Sequence, residues 1–182
     1  MVILMKQSFL ISGTGGQGVQ LFGQLIAYCA TAQGLFVTFD ADYSGNMRGA
    51  PSNCTVILSD MPIDSPIERR PDNFIVFQQE AMDKLLMTRV ADGGTVYYDS
   101  TLAAECPELR PDVTFIGCPA TALAEEMGNV KVANMIMLGF FCRRSAVLDS
   151  TVMRSVIEQQ FSKKPLLLPL NRAAFEKGSA LA

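Results

Sequence analysis

Histidine is absent from the 182-residue chain. With it go the commonest general base near neutral pH, the usual base of a nucleophilic triad and the commonest zinc ligand. Self-contained hydrolase mechanisms built on those groups are excluded. Cysteine is sparse: Cys29, Cys54, Cys106, Cys118 and Cys142 are odd in number, scattered, and form no C-x-x-C pair. Neither a disulfide framework nor an iron–sulfur cluster is expected from them. No block of Lys and Arg is long enough to neutralise several phosphates of a polynucleotide, and the net charge is −3 with a pI near 5.0. Nucleic acid is therefore not an expected partner. No apolar run reaches the roughly 18 residues of a spanning helix. Residues 1–12 show no apolar region followed by a small-residue cleavage site. The expectation is a cytoplasmic protein with no membrane partner.

Hydrophobic residues make up 49% of the chain and charged residues 18%, a balance that supports a buried core rather than disorder. The length suits one compact domain, and neither a repeat nor a linker-like change of composition divides it. Residues 1–182 are read as a single domain.

Residues 7–12 form a short β-prone run that ends on Gly13-Thr14-Gly15-Gly16-Gln17-Gly18. From Val19 to Ala32, Leu21, Phe22, Leu25, Ile26 and Cys29 recur at three- and four-residue spacing, and Gly34 follows as a stop. The loop therefore opens a helix. Leu35 to Asp40 reads as a second strand, and a right-handed crossover places it in a parallel sheet with the first. Ala41 to Asn53 is a long Gly-, Asn- and Ser-containing loop, of the kind that often carries function. Further strands are expected at 54–59, 74–77, 94–98 and 113–117, and helices at 80–90, 131–148 and 151–161. After Pro165 an apolar, proline-interrupted stretch leads to a helix-prone segment at 171–177, to be packed on this domain or on a partner. The fold class is α/β: a doubly wound, Rossmann-like domain with a mostly parallel sheet and helices on both faces.

Gly13-x-Gly15-x-x-Gly18 has the dinucleotide-loop spacing between a strand and a helix amino end, where free amides and the helix dipole favour an anion. Asp40, about 20 residues after the loop, stands where such folds keep a ribose carboxylate. A free-standing nucleotide-binding protein or dehydrogenase is thus one reading. The plainer one is a tight glycine turn that lets the helix pack close to the sheet. In Tyr43-Ser44-Gly45-Asn46-Met47-Arg48-Gly49-Ala50, Arg48 can pair with a phosphate or carboxylate. It can equally form an ion pair with Asp40 or Asp42, or bridge a subunit seam. Asp40-x-Asp42 lacks the further ligands of a metal site. Cys54 and Cys118, without a histidine neighbour, read as small buried hydrophobes. Met135, Met137, Phe140 and Phe141 at helical spacing read as core.

Taken together, Gly13 to Gly18, then Met47-Arg48-Gly49, then Ser59-Asp60-x-Pro62-Ile63-x-Ser65-Pro66 resemble the gamma subunit family of 2-oxoacid:ferredoxin oxidoreductases. Asn129-Val130-Lys131-Val132-Ala133-Asn134-Met135 with Leu138-Gly139 extends the resemblance across most of residues 9–145, with the 2-oxoglutarate type most similar and the indolepyruvate type sharing the domain. Family members commonly carry Arg-Gly-Gly where this chain has Arg48-Gly49-Ala50. The resemblance implies a cytoplasmic complex in which alpha, beta and delta subunits hold thiamine diphosphate and iron–sulfur clusters. That complex oxidatively decarboxylates a 2-oxoacid to an acyl-coenzyme A and passes electrons to ferredoxin. This chain would bind no cofactor alone, would be inactive in isolation, and can self-associate as a homodimer. The implied ligand-binding positions, near the coenzyme A path or the subunit seam, are Gly13, Thr14, Gly15, Gly16, Gln17 and Gly18 with Ser44, Arg48 and Gly49; no catalytic side chain and no metal ligand is implied.

Overall fold

The computed structural model describes residues 5–43, 51–82, 89–103, 111–145 and 147–181. Six strands form one sheet: β1 (Lys6–Thr14), β2 (Phe36–Tyr43), β3 (Pro51–Ser59), β4 (Asn73–Val76), β5 (Thr95–Asp99) and β6 (Thr114–Cys118). Their spatial order is β2-β3-β1-β4-β5-β6. The pairs β1–β4, β4–β5 and β5–β6 are parallel. β3 runs antiparallel to both β1 and β2. β1 and β2 are therefore parallel to each other, as the strand–loop–helix–strand pattern predicts, but they are not neighbours. The hairpin return of β3 fills the gap between them, and the sheet is mixed with one reversed strand.

The alternation of side chains across each strand builds two apolar layers. Phe9, Ile11, Cys54, Val56, Leu58, Ile75 and Tyr97 face one way, into the larger layer. That layer is covered by α1 (Val19–Ala32), α2 (Ala120–Glu126), α3 (Ala133–Ser145), α4 (Ser150–Phe161) and α5 (Leu168–Ser179). Leu10, Phe74, Val76 and Val96 face the other way and meet Met82, Val90 and Ala103. Central strands must be apolar on both sides, which is why Phe9-Leu10-Ile11 and Phe74-Ile75-Val76 read as unbroken hydrophobic runs. β2 lies at the sheet edge, where exposed Asp40 and Asp42 discourage further strand pairing.

α3 is buried at every residue from Ala133 to Cys142, so it has no polar stripe and serves as the core's central rod. Phe141 on its inner side meets Phe9 and Tyr97 edge-on, at centroid separations of 5.5 and 5.1 Å. The expected helix at 131–148 is in fact a 3₁₀ turn at Val130–Val132 followed by α3. α4 starts where Asp149 accepts hydrogen bonds from the amides of Thr151 (2.6 Å) and Val152 (3.1 Å). α5 begins earlier than residue 171, with Pro169 in its first turn, where the missing N–H costs nothing. It packs on this chain through Ala174 and Phe175, while Leu166 stays 92% exposed. The short α2 follows Pro119 and ends at Glu126, just before left-handed Gly128; its two turns are too brief for hydrophobic periodicity to reveal. Of the helix expected at 80–90, the described part is a 3₁₀ turn at Gln79–Met82 and an irregular end; residues 83–88 lie outside the described residues.

Candidate functional site

The loop from Gly13 to Gly18 joins the carboxyl end of β1 to α1, as its spacing predicts. Gln17 latches it. The Thr14 amide donates to Gln17 Oε1 (2.7 Å), and Gln17 Nε2 donates to the carbonyl of Phe77 beyond β4 (3.0 Å). The Gln17 amide donates back to the Thr14 carbonyl (3.2 Å), closing a turn. Gln17 is thus a structural tie rather than a free ligand donor. Gly13 is required by this packing: a methyl there would sit 2.6 Å from Gln17 Oε1 and 3.1 Å from Phe77 Cβ. Gly16, at φ 104°, is exposed and has open space on its side-chain side.

Gly18 caps α1 at φ 78°, a left-handed conformation suited to glycine. A methyl at Gly18 would also overlap the amide nitrogen of Asn134 on α3. Gly18→Ala is expected to cost roughly 2 kcal/mol from the backbone and the overlap together. Adding Asn134→Ala should recover the overlap share and leave the backbone share. Chemical denaturation of the single and double variants measures both; full recovery in the double variant would show that the backbone conformation contributes nothing.

The loop borders a cleft of about 110 Å³ at the carboxyl ends of β1, β4 and β5, lined by Gly16, Gln17, Phe77, Leu102, Thr121, Val130, Lys131 and Ala133. In open α/β sheets this is the end at which ligands bind. Its walls are mainly apolar, and Lys131 is the one charged residue lining it among the described residues. Two of the walls are fixed by Asp99, fully buried at the end of β5. The Asp99 carboxylate accepts from the Thr121 hydroxyl (2.6 Å), the Thr121 amide (3.1 Å) and the Thr101 amide (3.1 Å). This ties the turn carrying Leu102 to the first turn of α2.

The amino end of α1 has neither an acidic residue in its first turn nor a side-chain cap. Two acceptor oxygens near that turn, Gln20 Oε1 and Asn134 Oδ1, are buried without a hydrogen-bond partner among the described residues. The Gln20 amide nitrogen donates to the carbonyl of Asn53 (2.8 Å), tying α1 to the start of β3. Pro51 is in register with Thr14, and Tyr43 and Gly13 are both in register with Ser52. The second loop therefore leaves and rejoins the sheet beside the glycine loop. Of its candidates, Ser44, Arg48 and Gly49 lie outside the described residues, as does Cys106.

Asp40 does not stand at the glycine loop. It is in register with Thr55, which is in register with Leu10. That places it three residues short of the Gly13 level and two strands away, about 10 Å in each direction. It lines a separate groove with Asp42, Asn53, Glu68 and Arg89. The expected ribose carboxylate is displaced because β3 occupies the neighbouring position, and the dehydrogenase reading loses its second feature.

Cys29, Cys54 and Cys118 have thiols pushed up to about 12 by burial. Burial likewise raises Cys142 well above the ordinary range. Such thiols remain protonated and are poor nucleophiles and ligands, and no group of three or more His, Cys, Asp or Glu suited to a metal occurs among the described residues. A thiol raised in the fold stabilises it below the ordinary value of 9.0, and that stability is lost as pH rises toward 12, since the unfolded chain releases protons that the fold retains. The denaturation midpoint should therefore fall between about pH 8 and pH 10.5. A midpoint that holds or rises would contradict the burial of these groups.

Residues 8–181 match the family described as pyruvate ferredoxin/flavodoxin oxidoreductase. The chain is 32% identical to ketoisovalerate oxidoreductase subunit VorA of Methanothermobacter thermautotrophicus, over 94% of this chain but 35% of that one. It therefore spans about a third of that relative's length. It is 31% identical to 2-oxoglutarate synthase subunit KorC of Methanocaldococcus jannaschii, over 99% of this chain and 96% of that one. Among solved structures, the 2-oxoglutarate:ferredoxin oxidoreductase of Magnetococcus marinus, with 2-oxoglutarate, coenzyme A and succinyl-CoA bound, superposes with a TM-score of 0.89 at 25% identity, over 97% of this chain and 31% of that one. No described helix is long and apolar enough to cross a membrane. A match across nearly the whole chain, carried on a sheet whose first loop is the glycine turn expected from the sequence, shows that this chain belongs to the pyruvate ferredoxin/flavodoxin oxidoreductase family.

Proposed function

We propose that this chain is the gamma-type subunit of a 2-oxoacid:ferredoxin oxidoreductase, with 2-oxoglutarate as the favoured acid. The observation that carries the reading is its end-to-end similarity to the 2-oxoglutarate synthase subunit KorC, which it matches over 96% of that subunit's length. In the complex a 2-oxoacid and coenzyme A become acyl-coenzyme A and carbon dioxide, and the electrons released pass to ferredoxin. Thiamine diphosphate and iron–sulfur clusters belong to the companion alpha, beta and delta subunits. The protonated, scattered thiols of this chain suit that division of labour.

Its own contribution is the cleft beside the Gly13–Gly18 loop, read as one wall of the coenzyme A path. Support comes from its position at the carboxyl ends of the parallel strands and from the coenzyme A-bound state of the superposed Magnetococcus marinus enzyme. A second reading, an assembly module without a ligand, draws on Gln17, whose amide is spent holding the loop together.

Anaerobic affinity purification from the native cells tests the proposal, followed by an assay of coenzyme A-dependent viologen reduction with several 2-oxoacids. Companion subunits and turnover of one acid are expected. A lone, stable homo-oligomer would contradict it. Retention of the complex's full coenzyme A affinity after the loop is altered would favour the assembly module.

A further inference from the structure

We propose that the side of β2 and β3 turned away from the helices, centred on Ser59, is the docking surface for one companion subunit, the one equivalent to the rest of VorA, which meets it with apolar side chains ringed by Lys and Arg. This rests on reading the chain as one subunit of a larger complex.

The five described helices all pack on one side of the sheet. The other side of β2 and β3 carries Phe36, Asp40 and Asp42, in register with Ser59, Thr55 and Asn53. Beside it runs the irregular segment 60–72, whose Ile67 lines two adjoining grooves: one of about 160 Å³ with Asp40 and Asp42, the other of about 210 Å³ with Lys6 and Ser59. Three large apolar side chains gather around Ser59 and stay in solvent. Phe36, 48% exposed, is its partner across the ladder; Met61, 53% exposed, donates its amide to the Ser59 hydroxyl (3.0 Å); Ile67 is 71% exposed. One exposed apolar side chain needs no explanation, but three around a single residue make a patch of the kind that marks an interaction site.

Charge selects the occupant. Asp40, Asp42 and Asp64 line the two grooves and Asp60 lies between Ser59 and Met61. The Lys6 ammonium, at the same level, is taken by Glu68 (3.5 Å). An apolar centre with an acidic rim repels a second copy of itself, an anionic membrane and a nucleic acid, and suits a partner whose apolar side chains stand among cations. The relatives supply the reason for a permanent partner. This domain is 35% of VorA and 31% of the Magnetococcus marinus chain, so in both it is joined covalently to about twice its own length of further protein. Where the chain is separate, the same contact has to be held by the interface alone, and lasting interfaces of that kind are the more apolar ones.

The test uses complexes assembled by anaerobic co-expression and then diluted, with release of this chain from its companions followed by native mass spectrometry. Ile67→Glu should raise the dissociation constant roughly 30-fold or more, the size of a charge driven into the centre of an interface. Asp64→Lys should raise it roughly 10-fold, and added salt should weaken the wild type more than Asp64→Lys. Both positions are exposed, so the isolated variants should melt within about 2 °C of the wild type. Leu166→Glu, between α4 and α5 on the helix-covered side, is the control and should leave association unchanged. Unchanged association in Ile67→Glu overturns the surface while leaving the subunit's proposed function standing. An equal loss with Leu166→Glu overturns it as a general effect of added charge. A homodimer of the isolated chain that Ile67→Glu breaks while the complex stays intact overturns it in favour of a second copy. A wild-type chain that joins no companions overturns the underlying reading and the surface with it.

Discussion

Gly178→Ala is expected to lower the melting temperature by about 10 °C, equivalent to roughly 3 kcal/mol in a domain of this length. The reason lies in the crossing of α3 and α5. A methyl at Gly178 would overlap the carbonyl oxygen and carbon of Ile136, and a methyl at Gly139 would overlap the carbonyl oxygen of Phe175. Each glycine thus receives the other helix's backbone. Most overpacking strain is relieved when a side chain turns to another rotamer, but here both colliding groups are backbone and the helices have to separate. Separation would pull on α3 next to Asn134 and Ala133, so the loop and cleft are disturbed along with stability. Calorimetry of wild type and Gly178→Ala measures the shift. A change of less than about 2 °C would mean that the two helices do not approach as closely as described.

Phe141→Ala should cost still more, about 3–5 kcal/mol, as for other fully buried large-to-small changes. Phe141 has no exposed surface. Its ring meets Phe9 on β1 and Tyr97 on β5 edge-on and lies tilted against Phe22 on α1 at 6.1 Å. Phe22 in turn meets Phe77, the residue whose carbonyl holds the Gln17 latch, at 5.6 Å. Removing Phe141 therefore leaves a cavity where sheet, central helix and loop-bearing helix converge. The contacts come from three elements, so no single one can collapse to fill it. Phe141→Leu should lose much less, because it retains most of the volume. Denaturant titration of both variants decides this; equal losses would show that edge-on aromatic packing carries the effect instead of volume.

The elements legible in the sequence were those with a long or repeated signal. The β1–loop–α1 unit was readable because an apolar run, a glycine cluster and a 3.6-residue repeat follow one another without interruption. Strand neighbours were not, because periodicity states that a segment is extended and says nothing about which strand lies beside it. β3 runs back against β2 and lies next to β1, and this single reversal moves Asp40 away from the loop. The cleft was illegible for a different reason. Gln17, Phe77, Leu102, Thr121 and Lys131 come from five separate stretches that only the closed sheet gathers. Lys131 was visible as part of the family-like helix lead-in, yet nothing local distinguished it from a solvated surface lysine. That it lines one cleft with Gly16 is a property of the fold alone.

The most direct test of the central claim is reconstitution by omission. The companion subunits would be co-expressed anaerobically with and without this chain, and 2-oxoglutarate- and coenzyme A-dependent viologen reduction would be measured in each preparation. The account predicts that the chain joins the companions in a defined stoichiometry and that coenzyme A-dependent turnover is lost without it. Full turnover with unchanged coenzyme A affinity in its absence, or a chain that stays apart as a stable homo-oligomer, would contradict the account.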